Sequence, residues 1–95
     1  MAGEIKIMFH ANFREITKKK EIIEEIKEGT TIAYILEKLA KNYGKDFNSI
    51  IDRKTGKISS EALVLLNGRG IRATDIKLQD KDVLIITIPV GGGSK

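Results

Sequence analysis

The stretch Val83–Gly93, which reads VLIITIPVGGG, decides the fold of this chain. Its first six residues are strongly β-forming and predict the last strand of a sheet. Pro89 cannot donate a hydrogen bond to a neighbouring strand, so the ladder of the sheet should end there or the chain should lie at an edge. The glycines Gly91–Gly93 have no side chains to pack and lose much backbone entropy when ordered. We therefore predict that the strand leads directly into a thin, flexible arm.

The first half of the chain predicts two strands and one helix. Glu4–His10 alternates between apolar and polar residues, and Glu21–Lys27 has a second β-forming pattern, with a hairpin tip expected at Lys18–Lys20. Apolar residues at spacings of three and four follow Thr30 and Thr31, either of which suits a helix N-cap. Gly44 ends this segment, as glycine often does at the end of a helix. It is the one helix that the pattern predicts.

The second half of the chain predicts the remaining strands. Ala62–Leu66 is nearly continuous apolar sequence, which is typical of a central strand, and Asn67-Gly68 after it predicts a tight turn. Gly70–Arg72 suits a short edge strand. A long connection, residues 45–61, has a predicted turn at its tip. The order indicates an α+β fold, with a mixed sheet of four to five strands packed on one main helix. We expect a domain over residues 1–90 and a flexible C-terminal tail over residues 91–95.

Composition restricts the classes of function. The chain has 95 residues, enough for one small domain, and it is 41% hydrophobic and 32% charged, as in soluble globular proteins. It has no cysteine, which excludes disulfides and thiolate sites and is consistent with a cytoplasmic protein. No apolar run approaches the length of a membrane span, and the N-terminus lacks the pattern of a signal peptide. The net charge of +4 comes from interspersed acids and bases, which we interpret as mainly solvated surface charge.

The sequence gives no pattern of a catalytic or metal site. His10 is the single histidine, at a predicted strand end, where a surface position is expected. Asp80 and Asp82 lie two residues apart in a turn, where aspartates usually accept hydrogen bonds from their own backbone. The stretch Gly68–Gly70 lacks the lysine and following helix of a phosphate loop. We therefore expect a carrier or binding protein that binds no metal or cofactor, and not an enzyme.

Three stretches in order carry a resemblance to a known family. Leu63–Arg69 has an Asn-Gly turn after the central strand, Leu78–Val83 has an acidic turn before the last strand, and Ile88–Gly93 ends in Pro-Val and glycines. This combination resembles the MoaD/ThiS family of β-grasp sulfur carriers and ubiquitin-like proteins, over essentially the whole domain. The Pro-Val pair and the chain length are closest to MoaD, the small subunit of molybdopterin synthase, and to archaeal ubiquitin-like modifiers.

The resemblance implies a chemistry at the tail. A ubiquitin-activating-type enzyme, which supplies ATP and Mg, adenylates the terminal glycine carboxylate, and sulfur then converts it into a thiocarboxylate. In MoaD-type use the tail donates this sulfur within the large molybdopterin synthase subunit; in modifier-type use the glycine is joined to a lysine of a target protein. Alignment on Pro89-Val90 places the reactive carboxylate on Gly93, with Gly92 before it. Ser94-Lys95 depart from the family pattern: a protease has to remove them, or they are a tag. Lys81 departs too, where the family has glycine.

A carrier also needs a surface for its partners. Strand alternation directs Leu84 and Ile86 of the last strand toward the helix and Val83, Ile85 and Thr87 to the opposite, outer side of the sheet. We expect Val64 and Leu66 on the same outer side, with Arg69, Arg72 and Lys81 at its rim, unless the connection over residues 45–60 covers this face. The predicted partner-binding residues are Val64, Leu66, Ile85, Thr87, Pro89, Val90, Gly91 and Arg69.

Several functions remain open at this point. The sulfur carrier and the ubiquitin-like modifier share fold and activation and differ in the acceptor, which the sequence does not encode. The pathway served is also open among molybdopterin, thiamine and tRNA thiolation. A β-grasp RNA-binding module is a rival of another class, which would need aromatic residues on an exposed sheet face. Nucleic acid and membrane partners are not expected.

Overall fold

The computed structural model describes residues 3–89. The tail residues Val90–Gly93 and Ser94-Lys95 lie outside the described residues, as does the predicted boundary at residue 90. In chain order the elements are β1 (Gly3–Phe9), α1 (Asn12–Thr17), β2 (Glu21–Ile26), α2 (Ile32–Tyr43), a 3-10 helix (Lys45–Ile50), β3 (Leu63–Leu66), β4 (Arg69–Ile71) and β5 (Val83–Thr87). No helix within residues 3–89 is long and apolar enough to cross a membrane.

The five strands form one mixed sheet in the order β2-β1-β5-β3-β4. The strands β1 and β5 are parallel, and the other three pairs are antiparallel. Because β5 is the central strand, the last strand of the chain is bonded to neighbours on both sides. The α+β class and the mixed sheet predicted from the sequence are confirmed.

The core lies between the sheet and α2. Thr31 caps this helix, since its hydroxyl accepts a hydrogen bond from the Tyr34 backbone N–H at 3.2 Å, and Gly44 follows the last turn. The apolar stripe of the helix packs on the inner sheet face, where both sets of side chains are almost completely buried: Ile32, Ile35, Leu36 and Leu39 from the helix, and Ile5, Ile7, Phe9, Leu84 and Ile86 from the sheet. Burial of each such side chain contributes about 1.5–3 kcal/mol.

The predicted hairpin tip between β1 and β2 is wrong, because the segment contains the short helix α1. Phe13 and Thr17, one helical turn apart, are buried on its inner side. Phe13 packs on Phe47 with ring centroids 5.2 Å apart. Two buried side chains at helical spacing therefore outweigh the polar character of the segment and fold it onto the domain.

The connection over residues 45–61 packs on the helix side of the sheet. Its 3-10 helix buries Phe47 against Phe9 and Tyr43, with ring centroids 5.9 Å apart in each pair. A bridge between Ile51 and Ile58 closes the predicted hairpin tip over residues 52–57. The alternative that this connection covers the outer sheet face is wrong, because its apolar residues complete the core instead.

Candidate functional site: the last strand and the outer sheet face

The strand β5 holds the base of the tail in the centre of the sheet. Leu84 and Ile86 are buried with no exposed surface, whereas Val83, Ile85 and Thr87, which alternate with them, are partly exposed on the outer side. Ile88 and Pro89 follow as exposed residues. The hydrogen-bonded ladder of β5 ends at Thr87, as predicted from Pro89. The roles assigned to Val90, Gly91, Gly92 and Gly93 stay predictions.

The beginning of β5 is fixed by the turn between β3 and β4. Asn67 and Gly68 both have positive φ angles, 52° and 86°, as a two-residue hairpin turn with Asn-Gly requires. The Asn67 side chain accepts a hydrogen bond from the Val83 backbone N–H at 2.8 Å and donates one to the Asp82 carboxylate at 2.9 Å. The Asn67 backbone N–H also donates to the Val83 carbonyl at 2.8 Å. Asn67 therefore sets the register at which β5 begins.

The acidic turn before β5 is structural. The Asp80 carboxylate accepts the Glu4 backbone N–H at 2.9 Å, and the Asp82 carboxylate accepts the Gln79 backbone N–H at 2.8 Å. Lys81 between them has a φ of 72°, the conformation that glycine adopts without a steric cost. Within residues 3–89 no group of three or more metal-ligating side chains comes together. The prediction that these aspartates accept hydrogen bonds from the backbone of their own turn is confirmed for Asp82, whereas Asp80 accepts from the backbone of β1.

An apolar patch occupies the outer face of the three central strands. The sheet register pairs Met8 with Ile85, Ile85 with Leu65, and Leu63 with Thr87. All five side chains are partly exposed and stand outside the buried core cluster. This outer patch, defined as Met8, Leu63, Leu65, Ile85 and Thr87, leads directly to the tail through β5. Such an uncovered apolar surface is typical of a protein interaction site.

The side chains of Leu63 and Leu65 in the outer patch lie next to Gly70 of the edge strand β4. A Cβ atom placed on Gly70 would lie 3.8 Å from Leu63 Cδ1 and 3.9 Å from Leu65 Cδ2. The glycine thus leaves room beside the leucines, on the side where no further strand follows.

The prediction that Val64 and Leu66 of β3 point to the outer side of the sheet is wrong. Val64 is completely buried opposite Ile86, and Leu66 packs against the core opposite Leu84, so neither belongs to the outer patch. Arg69 is exposed on the edge strand, but it pairs with Leu66 and so has the inner-face orientation. A continuous apolar run gives no alternation from which to choose a face, and only the register with β5 reveals that Leu63 and Leu65 are the outer residues.

The aromatic residues are absent from the outer patch. Phe9, Phe13, Phe47 and Tyr43 form one inner cluster, and Tyr34 is exposed on α2. All five aromatic residues of the sequence lie within the described part of the chain. The requirement for an RNA-binding sheet face, aromatic side chains on which bases stack, is not met.

Among the ionisable groups of residues 3–89, one close ion pair with a shifted pKa stands out. His10 is exposed at the end of β1, as predicted. The shift that stands out is on α2: the hydrogen bond from Lys38 to the Glu24 carboxylate, together with the charge of that carboxylate, raises the pKa of Lys38. This pair joins α2 to the edge strand β2, which β1 separates from β5. It is a structural ion pair.

Comparisons with known proteins agree with this geometry. A family model described as the ThiS family matches residues 7–93. Small archaeal modifier protein 3 of Haloferax volcanii is 29% identical over 93 residues, covering 95% of this chain and 99% of its own. The solution structure of the Haloferax volcanii HVO 2177 protein has a TM-score of 0.80 at 28% identity, over 97% of this chain and 88% of that one. A putative molybdopterin converting factor, subunit 1, from Pyrococcus furiosus has a TM-score of 0.76 at 23% identity, over 93% and 99%. The fold is the ubiquitin-like β-grasp.

Proposed function

This chain belongs to the ThiS family of small sulfur carriers and ubiquitin-like modifiers, and from that membership we propose that it is a MoaD-like sulfur carrier activated at Gly93. The observation that carries the proposal is the position of β5: the strand that leads to Gly91–Gly93 is central in the sheet and has a partly exposed, mainly apolar outer side. A partner that binds the outer patch therefore holds the base of the tail in a fixed position.

The proposed chemistry takes place in the partner enzyme. The Gly93 carboxylate attacks the α-phosphorus of ATP, pyrophosphate leaves, and the carboxylate becomes a mixed anhydride with AMP. Hydrosulfide, or a sulfur donor equivalent to it, then attacks the carbonyl carbon, AMP leaves, and the product is a thiocarboxylate. The activating enzyme supplies ATP and Mg, and the carrier supplies the carboxylate and the docking surface. For this carboxylate to be free, Ser94 and Lys95 have to be removed.

The acceptor proposed for the sulfur is a pterin precursor of the molybdenum cofactor, bound to a large synthase subunit. Support comes from the Pro89-Val90 pair before the glycines and from the fold shared with the Pyrococcus furiosus protein. The same outer patch would serve both partners in turn, because each has to receive the same tail from the same side of β5. Both encounters take place in the cytoplasm in this proposal.

A ubiquitin-like modifier is the second candidate, and one observation favours it. The relative with 29% identity over 93 residues is a small archaeal modifier protein. In this case the activated glycine is joined to a lysine of a target protein, and AMP leaves when the lysine amine attacks the carbonyl carbon. Fold, activation and tail are the same in both candidates, so the acceptor alone distinguishes them.

Mass spectrometry of the protein recovered from its own cells tests the proposal. We expect loss of Ser94-Lys95 and a mass increase corresponding to one sulfur atom in place of one oxygen atom. Peptides of other proteins carrying Gly92-Gly93 on a lysine would favour the modifier. Ser94-Lys95 present in every molecule would contradict activation at Gly93 in either form.

A reconstituted assay isolates the activation step. The chain ending at Gly93 is incubated with its cognate adenylating enzyme, ATP and Mg, and ATP–pyrophosphate exchange is measured. We expect exchange with this chain and none with the full chain ending at Lys95 or with a chain ending at Gly92. Equal exchange with all three would show that the enzyme does not select the Gly93 carboxylate.

A further inference from the structure

Four exposed cations follow β1 within a stretch of seven residues. They are Arg14, Lys18, Lys19 and Lys20, and Glu15 is the one acid among them. Within residues 3–89 none of the four takes part in an ion pair; the pairs found there join Lys6 to Glu21 and Lys38 to Glu24. No carboxylate in this described part of the chain therefore forms a direct ion pair with them. We call these four residues the basic cluster.

The basic cluster lies at the end of the sheet where β5 leads to the tail. The Lys20 carbonyl accepts a hydrogen bond from the Phe9 backbone N–H at 2.8 Å, and the next residue, His10, donates its N–H to the Ile86 carbonyl at 3.0 Å. The backbone of Lys20 is thus two strand spacings, roughly 10 Å, from that of Ile86. Ile86 is three residues before Pro89, so the cluster and the base of the tail are neighbours.

The turn that carries the lysines is held firmly. The buried Thr17 hydroxyl donates to the Phe13 carbonyl at 3.0 Å and accepts from the Lys19 backbone N–H at 3.2 Å. The Lys18 backbone N–H donates to the Arg14 carbonyl at 2.8 Å. Since Phe13 is anchored in the core, the chain of contacts runs from the core to the lysines. The cluster is displayed from a fixed backbone, which reduces the entropy lost when a partner binds it.

The other end of the sheet has a different pattern of charge. There each lysine is interleaved with acids in the sequence: Lys27 lies between Glu25 and Glu28, Lys77 follows Asp75, and Lys81 lies between Asp80 and Asp82. On the far side of β5, Arg72 is exposed directly after Ile71, which pairs with Val64 and so lies level with Ile86. Arg72 on one side and the basic cluster on the other therefore flank the base of the tail, with Glu61, two residues before Leu63, as an exposed acid on the Arg72 side.

We propose that the basic cluster binds acidic side chains around the channel through which the activating enzyme receives the tail. This inference rests on the proposed function. The outer patch supplies apolar contact area, and the cluster steers the tail-bearing end of the domain toward an enzyme surface of opposite charge. An acidic protein surface is favoured over a nucleic acid because no aromatic side chain lies on the adjacent outer sheet face to stack on bases.

Two double variants with the same change in charge test the proposal. Lys19→Glu/Lys20→Glu alters the basic cluster, and Lys27→Glu/Lys77→Glu alters two exposed lysines at the other end. In the chain ending at Gly93, which lacks Lys95, each double variant lowers the net charge from +3 to −1, since each substitution changes the charge by two. Both are made in the chain ending at Gly93. ATP–pyrophosphate exchange with the cognate adenylating enzyme is measured as a function of carrier concentration and of salt, and thermal unfolding checks that both variants fold.

We expect the cluster variant to raise the KM for the carrier about tenfold at low ionic strength and only about twofold at high salt, with kcat unchanged. The control variant should change KM less than twofold at every salt concentration. Lys19→Gln/Lys20→Gln should give an intermediate KM, because it removes the charge without reversing it.

The outcomes separate this inference from the proposed function. Exchange with the wild-type chain but equal KM values for both double variants would overturn the role of the cluster and leave activation at Gly93 intact. No exchange with the wild-type chain would contradict the proposed function and, with it, this inference. An unchanged KM together with salt-sensitive binding of the wild-type chain to transfer RNA that the cluster variant loses would assign the cluster to RNA instead.

Discussion

Ala11→Gly should stabilise this protein, although it shortens a side chain. Ala11 joins β1 to α1 with φ 55° and ψ −137°, a conformation in which glycine dominates because a Cβ atom is crowded there. The His10 carbonyl accepts a hydrogen bond from the Phe13 N–H at 3.1 Å, so a tight turn holds the residue in place. Ala11 is exposed, so removal of its methyl group loses little buried surface.

The size of the effect is a difference between two opposing contributions. A residue held in such a conformation costs about 1–3 kcal/mol. Glycine increases the conformational entropy of the unfolded chain, which costs about 0.4–1 kcal/mol. The net gain in the free energy of unfolding is thus about 1 kcal/mol, which corresponds to an increase in Tm of about 4–8 °C for a domain of this size.

Urea unfolding followed by far-UV circular dichroism measures the change, with Ala33→Gly as the matched control. Ala33 lies in α2, where the same substitution should cost about 1 kcal/mol because glycine is a poor helix former. The two variants should therefore shift the midpoint in opposite directions with unchanged m-values. A loss of stability for Ala11→Gly equal to that of Ala33→Gly would refute the argument that the turn is strained.

Three further predictions concern the faces, the turn and the ion pair. Val64→Ala should lower the free energy of unfolding by about 2 kcal/mol, whereas Leu65→Ala should lower it by less than half of that and should raise the KM for adenylation. Equal KM values for the two variants would contradict the assignment of the outer face. Asn67→Ala should cost about 2 kcal/mol, since it loses two side-chain hydrogen bonds at a positive φ, and Asn67→Gly should recover part of the loss in urea titrations. The pKa of Lys38 is higher in the folded than in the unfolded state, so the pair with Glu24 stabilises the protein at neutral pH. The difference in free energy of unfolding between the wild-type chain and Lys38→Gln should therefore vanish as pH rises through and beyond 10.5. A difference that persists at that pH would show that the charge of Lys38 is irrelevant.

The sequence predicted the framework of the fold because its patterns were unambiguous there. Ile5, Ile7 and Phe9 alternate strictly, and the capped segment from Thr31 to Gly44 has a clear helical stripe, so each element has only one way to bury its apolar side. The Asn67-Gly68 turn was equally clear, because few other dipeptides accept two successive positive φ angles. These local rules agree with one another, and the structure confirms them.

The errors arose where a local pattern was compatible with two structures. The segment before Lys18 is mostly polar, and the helical spacing of Phe13 and Thr17 consists of only two residues, so the short helix α1 is stabilised by tertiary burial that the sequence does not display. Val64 and Leu65 are both apolar and adjacent, and only pairing with β5 decides which of them faces the core. The candidate site depends on that register, and for this reason the sequence located the strand but misassigned its face.

The geometry of β5 limits where a partner can carry out chemistry on the tail. The chain from Thr87 to Gly93 comprises six residue steps, which span at most roughly 22 Å when fully extended. The outer patch and the ladder both end at Thr87, and Pro89 is exposed immediately beyond. An enzyme that binds the outer patch must therefore place its reacting phosphorus, or its sulfur acceptor, within about that distance of the edge of the patch. In the proposed function, the activating enzyme and the sulfur acceptor have to meet the same requirement, so we expect them to compete for one surface and the carrier to leave the first before it binds the second.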